Sequence, residues 1–183
     1  MKKNPVKKYL VQFKPFLIFI GTFFAAYVLL TIIYKSYLNN FESDDVDGIT
    51  LLVGSNVYWL MDLFNSDIFI QKSISDPWLE VWYNKDYVIR IVEGCNAVSV
   101  MILFISFVVA FSGKIKTTLF FILSGTLFIY ILNVGRIALL AILLFHYPEK
   151  LHLLHGVLFP LIIYGLVFAL WVLWVNKFSK YAK

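Results

Sequence analysis

The chain has 183 residues, 61% of them hydrophobic and 19% aromatic, and its mean hydropathy is +0.81, whereas a soluble domain is roughly 45–50% apolar. Those figures exclude an ordinary soluble enzyme and indicate an integral membrane protein. The net charge of +5 comes from lysine clusters suited to anionic lipid headgroups, so the lipid bilayer is an expected partner and nucleic acid is not.

Lys2, Lys3, Lys7, Lys8 and Lys14 precede a first apolar stretch, Phe16–Tyr34. At about 19 residues it exceeds the apolar core of a cleavable signal, and no small-x-small cleavage site follows, so an uncleaved anchor is expected. Residues 35–94 carry most of the acidic groups. Within them Ile49–Phe64 is interrupted by Gly54, Asn56 and Asp62 and is short for a full crossing, which predicts an interfacial or re-entrant helix. The segment "SDPWLEVWYNKDYVIRIVEGC" holds two runs rich in β-branched and aromatic residues, Trp78–Tyr83 and Tyr87–Val92, around Asn84-Lys85-Asp86. That pattern predicts a β-hairpin, with Gly94 ending its second strand just before Cys95. Three further apolar stretches follow: Ala97–Ser112, Thr117–Phe145 and Val157–Val175. The second is longer than one crossing of a hydrocarbon core roughly 30 Å thick requires.

Charge placement predicts the topology. Five lysines at residues 2–14, the pair Lys114 and Lys116, and the trio Lys177, Lys180 and Lys183 make ten of the 16 basic residues, and no Asp or Glu lies among them. Basic enrichment in short segments marks the cytoplasmic side. Both termini and the 113–116 turn are therefore expected inside. The resulting fold class is an all-α polytopic membrane protein of about four transmembrane helices. It forms a single integral membrane domain over residues 1–183: a first span at 16–34, an outer-face segment at 35–94 with the interfacial helix and hairpin, and a three-span core at 95–176.

The chemistry-bearing residues fall at span ends. Cys95, the single cysteine, opens an apolar span, where a helix N-terminus would favour its thiolate. Glu93 opposes this unless it pairs with Arg90. Counting from Thr117 at 1.5 Å per residue, the next crossing reaches the outer interface near Arg136, and an arginine at membrane depth is a functional candidate by default. Asn133 lies three residues earlier on the same helical face, in a supporting role. His146, His152 and His155 belong to the outer connection or the mouth of the last span. His146, beside Tyr147-Pro148, reads as a loop residue, and His152 and His155 can share a face. Cys95, Arg136 and a histidine thus converge at one depth. A thiolate would attack a carbonyl, a histidine would protonate the leaving amine, and an arginine would stabilise the oxyanion.

The motifs "EGCNAVSV", "NVGR" and "HGVLFP", in that order at the ends of apolar spans, resemble the exosortase/archaeosortase family of membrane transpeptidases, most nearly its exosortase F branch. The resemblance covers roughly residues 85–175. It implies that the family's catalytic Cys, Arg and His fall on Cys95, Arg136 and His155, with His152 the secondary histidine. The small residue usual after the cysteine is Asn96 here, and the Gly-Trp often found after the histidine motif is Phe159-Pro160. The resemblance also implies a location in the cytoplasmic (inner) membrane with the active site facing outside. Implied substrates are secreted proteins bearing a C-terminal sorting tail, namely a short motif, a hydrophobic span and a basic cluster. A thioester on Cys95 would be released to water or to a second nucleophile, such as one on a lipid or glycan. Whether a small associated membrane protein takes part stays open.

Two other readings compete. In one, a non-catalytic membrane assembly or scaffold protein uses its aromatics as lipid-facing and interfacial groups, Cys95 is inert packing and Arg136 only snorkels to the headgroups. In the other, three histidines and a cysteine near one surface bind a metal ion, although their spacing matches no recognised ligand pattern and Arg136 would lie beside the cation. No nucleotide-binding loop, dinucleotide turn or zinc-protease motif occurs, and no cofactor or metal is expected. A single cysteine also excludes an intramolecular disulfide.

Overall fold

A computed structural model describes residues 12–42, 45–111 and 113–179. Lys2, Lys3, Lys7, Lys8, Ser112, Lys180 and Lys183 lie outside the described residues, so the charge argument rests structurally on Lys14, Lys114, Lys116 and Lys177.

Helix α1 (Lys14–Leu38) carries a proline in its first turn, where the missing N–H is harmless. Three helices are long and apolar enough to cross a membrane: α1, α4 (Ile115–His146) and α5 (Pro148–Lys177). The apolar stretch after Cys95 forms a shorter helix, α3 (Val98–Ala110), of 13 residues. At 1.5 Å per residue that is about 20 Å, less than a hydrocarbon core. The expected four spans therefore appear as three long helices and one short one. Apolar surface on α1 faces outward at Phe16, Phe24, Leu29 and Ile33, as on a helix that meets lipid, while its inner side lies along α3 through Phe19. The Phe19 ring sits 4.5 Å from that of Phe111 and 5.9 Å from that of Phe107.

Between α1 and α3 in the chain comes a small mixed layer of helix and sheet. Helix α2 (Gly48–Asp62) starts where the Asp47 carboxylate accepts from the backbone N–H groups of Ile49 and Thr50, satisfying donors a helix start leaves open. It buries Val53, Val57 and Met61 against a three-stranded antiparallel sheet, in the order β1 (Ile68–Lys72), β2 (Leu79–Tyr83), β3 (Asp86–Ile91). The expected hairpin is β2–β3. Its turn residues Asn84 and Lys85 both have positive φ, as a tight two-residue turn of primed type requires. The sheet's third strand, β1, is an addition to the expected all-α plan. Gly54 lets α2 approach β2 closely, since a Cβ there would stand 2.3 Å from Leu79 Cδ1.

Two apolar cores result, and α4 joins them. Near its start, Phe121 and Ile129 pack with Phe104 and Val108 of α3 and with Val167 and Trp174 of α5. Gly125 lies under the Phe104 ring, which a Cβ would meet at 2.3 Å. Farther along, Val134, Ile137, Ala138, Leu140, Ala141 and Leu144 join α2 and the sheet in the second core. The surplus length of α4 is thus the pillar on which the sheet is mounted. A short antiparallel bridge between Gly113 and Ser179, and the hydrogen bond from Trp174 Nε1 to the Phe111 carbonyl (2.8 Å), bring the 113–116 turn and the end of α5 together. Phe19 places the start of α1 at that same end.

Candidate functional site

Cys95 reaches its position through a short extended exit from β3 and a 3-10 turn, Glu93–Cys95. It does not open α3. The helix begins at Val98, after Asn96 and a left-handed Ala97 (φ 64°), a conformation that costs a residue with a Cβ about 1 kcal/mol. The Asn96 side-chain carbonyl accepts from the Val98 N–H at 3.0 Å, so the helix start is already capped by a neighbour of the cysteine. The expected stabilisation of the thiolate by a helix N-terminus is therefore not available in its simple form.

The Glu93–Arg90 pair that would relieve Cys95 of a nearby negative charge does not form. Arg90 lies over the Trp78 ring, 4.6 Å from its centroid, and Glu93 accepts from the Tyr34 hydroxyl at 2.7 Å. Asn96 is buried and donates to the same hydroxyl at 2.8 Å. The residues on both sides of Cys95 are thereby tied to the end of α1. From α4, buried Asn133 donates to the Cys95 carbonyl at 2.7 Å. That bond fixes the Cys95 backbone to α4.

Arg136 is one turn further along α4. Asn133 and Arg136 are about 27 and 32 Å from the start of the helix by its rise, well away from Lys114 and Lys116 at that start. The Arg136 Nε is buried and has no hydrogen-bond partner among the described residues. A buried, unpaired donor costs about 1–3 kcal/mol, which an arriving oxygen atom would recover.

His155 and His152 sit in the irregular opening of α5. That opening runs through a 3-10 turn at Pro148–Lys150, one α-helical turn at Leu151–Leu153 and a π-helical turn at Leu154–Leu158 before regular helix resumes at Phe159. Pro160 explains the widening. It has no N–H to give the Gly156 carbonyl and its ring crowds that carbonyl, so the preceding turn opens outward. His146 is not in a loop; it is the last residue of α4, beside the rings of Phe145 and Tyr147.

A cavity of about 590 Å3 gathers these groups: Cys95, Arg136, His152 and His155 line it together with strand β3 and Ile137, Leu140, Leu151 and Gly156. Sequence spacing anticipated the first four. It did not reveal Tyr34, Asn96 or the β3 contribution, since nothing in the sequence distinguishes Tyr34 from the other ten tyrosines. Both histidines reach the cavity and both are solvent-exposed. Among the described residues, no group of three or more His, Cys, Asp or Glu side chains is disposed to hold a metal ion. The cavity can offer a thiol, an imidazole and a guanidinium to one ligand carbonyl, in mostly apolar surroundings that strengthen each polar contact. No protein-family model, curated protein or solved structure matches the chain.

Proposed function

We propose that this protein is a membrane-embedded cysteine transpeptidase or protease that cleaves C-terminal sorting tails from secreted proteins at the outer face of the cytoplasmic membrane. The observation that carries the reading is the single cavity shared by Cys95, Arg136 and His155, side chains from three separate segments. The resemblance of their motifs to the exosortase family supports it, as does the open Nε of Arg136.

In this reading Cys95 passes its thiol proton to His155 as its sulfur attacks the scissile carbonyl carbon, and Arg136 holds the oxygen as it gains charge. The C–N bond then breaks, and His155 gives a proton to the departing amine. The remaining thioester is attacked by water or by a nucleophile on a lipid or glycan acceptor, whose proton passes through His155 to the departing Cys95 sulfur as the C–S bond breaks and the thiol is restored. Asn133 holds the Cys95 carbonyl while this proceeds, and Asn96 ties the next residue to Tyr34. The basic ends of α1, α4 and α5 face the cytoplasm, and α1, α3, α4 and α5 serve as the four spans. A small associated membrane protein is compatible with the outward apolar face of α1.

Replacing Cys95 with Ala tests this directly in cells that make the protein. Tail-bearing secreted proteins should accumulate uncleaved while the variant reaches normal levels in the membrane. Normal processing by Cys95→Ala would reject a cysteine enzyme and leave the scaffold reading.

A further inference from the structure

The cavity has an unusual wall. Five consecutive residues of β3, Tyr87, Val88, Ile89, Arg90 and Ile91, all line it. Side chains of a strand alternate between two faces, so a cavity cannot meet five in a row through one face. It meets the strand along its edge. That edge is free: β3 is the outer strand of the sheet and pairs with β2 alone among the described residues. A second cavity of about 320 Å3 continues along the same strand, lined by Asp86, Tyr87 and Val88 and, across from them, Leu144, Phe145 and Pro148. The two share Tyr87, Val88 and Leu151. Together they form a groove along the whole of β3, roughly 17–20 Å for six residues of strand, with Cys95 and Arg136 at one end.

Backbone N–H and C=O groups at such an edge seek partners at strand spacing. The chemistry that supplies both, alternately and over this length, is another extended peptide. We infer that the substrate binds as an added strand along the free edge of β3. The residues N-terminal to its scissile bond would run parallel to β3, from the Asp86 end toward Cys95. The direction follows from the tail. A hydrophobic span on the C-terminal side of the cut must return to the bilayer, so the sheet is left for the N-terminal side. The inference rests on the proposed function, because it assumes a peptide substrate cut at Cys95. It adds where the recognition sequence lies and that much of the affinity comes from substrate backbone.

The test uses the purified full-length protein in lipid nanodiscs and a synthetic peptide spanning the cleavage region of a secreted protein whose processing depends on Cys95. Single N-methyl groups are placed in turn on each backbone amide of the six residues before the cut. Each removes one donor, a loss of about 3- to 10-fold in affinity for one backbone hydrogen bond. Strand addition predicts that kcat/KM falls by at least that factor at every second position, mainly through KM, and changes little at the positions between. Hydrogen exchange of the Cys95→Ala protein with the unmodified peptide should also slow at amides 87–91. An N-methyl profile without alternation, together with unchanged exchange along β3, would reject strand addition while leaving the enzyme reading intact. If the wild-type protein fails to cleave even the unmodified peptide, the enzyme reading falls and takes this inference with it.

Discussion

Arg136 carries a buried Nε–H with no partner among the described residues, as does the Trp171 indole, but only Arg136 lines the cavity. A side chain that only snorkels needs charge and a long stem, and lysine has both. A side chain that grips a carbonyl oxygen needs its planar fork of donors, which lysine lacks. Arg136→Lys is therefore expected to insert and accumulate normally but to process its substrate about 100-fold more slowly, the lower end of the loss for one oxyanion donor. Near-normal processing, measured as product per unit of membrane-inserted protein, would remove Arg136 from the catalytic set. At this scale the sequence was informative where membrane depth restricts residue choice. A lone Cys at a span end, an Arg about twenty residues into a crossing and a His pair at a span mouth are conspicuous in apolar surroundings. Glu93 was not legible in the same way, because the sequence offered only Arg90 as its partner. Arg90 was nearer in sequence, but Trp78 holds Arg90 and the end of α1 delivers Tyr34.

The elements show how helix irregularity supports the site. His155 lies within the π-helical turn Leu154–Leu158, five residues before Pro160, and lines the cavity from there. Such turns inside helices recur at functional sites. Pro160→Ala restores the N–H and removes the ring clash, so the opening of α5 should relax toward regular helix and swing His155 away. Membrane levels should hold or rise, whereas processing should fall by up to about 100-fold, the scale of a 1 Å misplacement of a catalytic group. A rate equal to that of the parent would show that the widened turn has no part in placing the histidine. The hairpin was legible because two aromatic and β-branched runs flank Asn84 and Lys85. Strand β1 was not, since "IFIQK" is only five residues and its burial alternates poorly. Pairing with β2 makes it a strand. The length of α4 was visible in the sequence, but its packing was not: no local pattern announces that the far part of a long helix supports a sheet from another part of the chain.

As a whole, the molecule divides into two ends that do different work. Lys14, the 113–116 turn and the close of α5 lie at one end, drawn together by Phe19, Gly113 and Trp174. The other end holds α2, the sheet, the cavity and the polar ties from Tyr34, Asn96 and Asn133 to the cysteine turn. Long apolar helices separate the two, so Cys95 and its cavity are held far from the basic end. The proposed reaction requires a thioester between Cys95 and the substrate, and hydroxylamine reports that intermediate chemically. Purified protein in nanodiscs should be mixed with a tail-bearing substrate and hydroxylamine, and the new C-terminus of the cleaved product identified by mass spectrometry. A thioester is captured as a C-terminal hydroxamate, which the account predicts for the parent protein and not for Cys95→Ala. Cleavage that leaves only a free carboxylate under saturating hydroxylamine, or a hydroxamate formed equally well by Cys95→Ala, would contradict it.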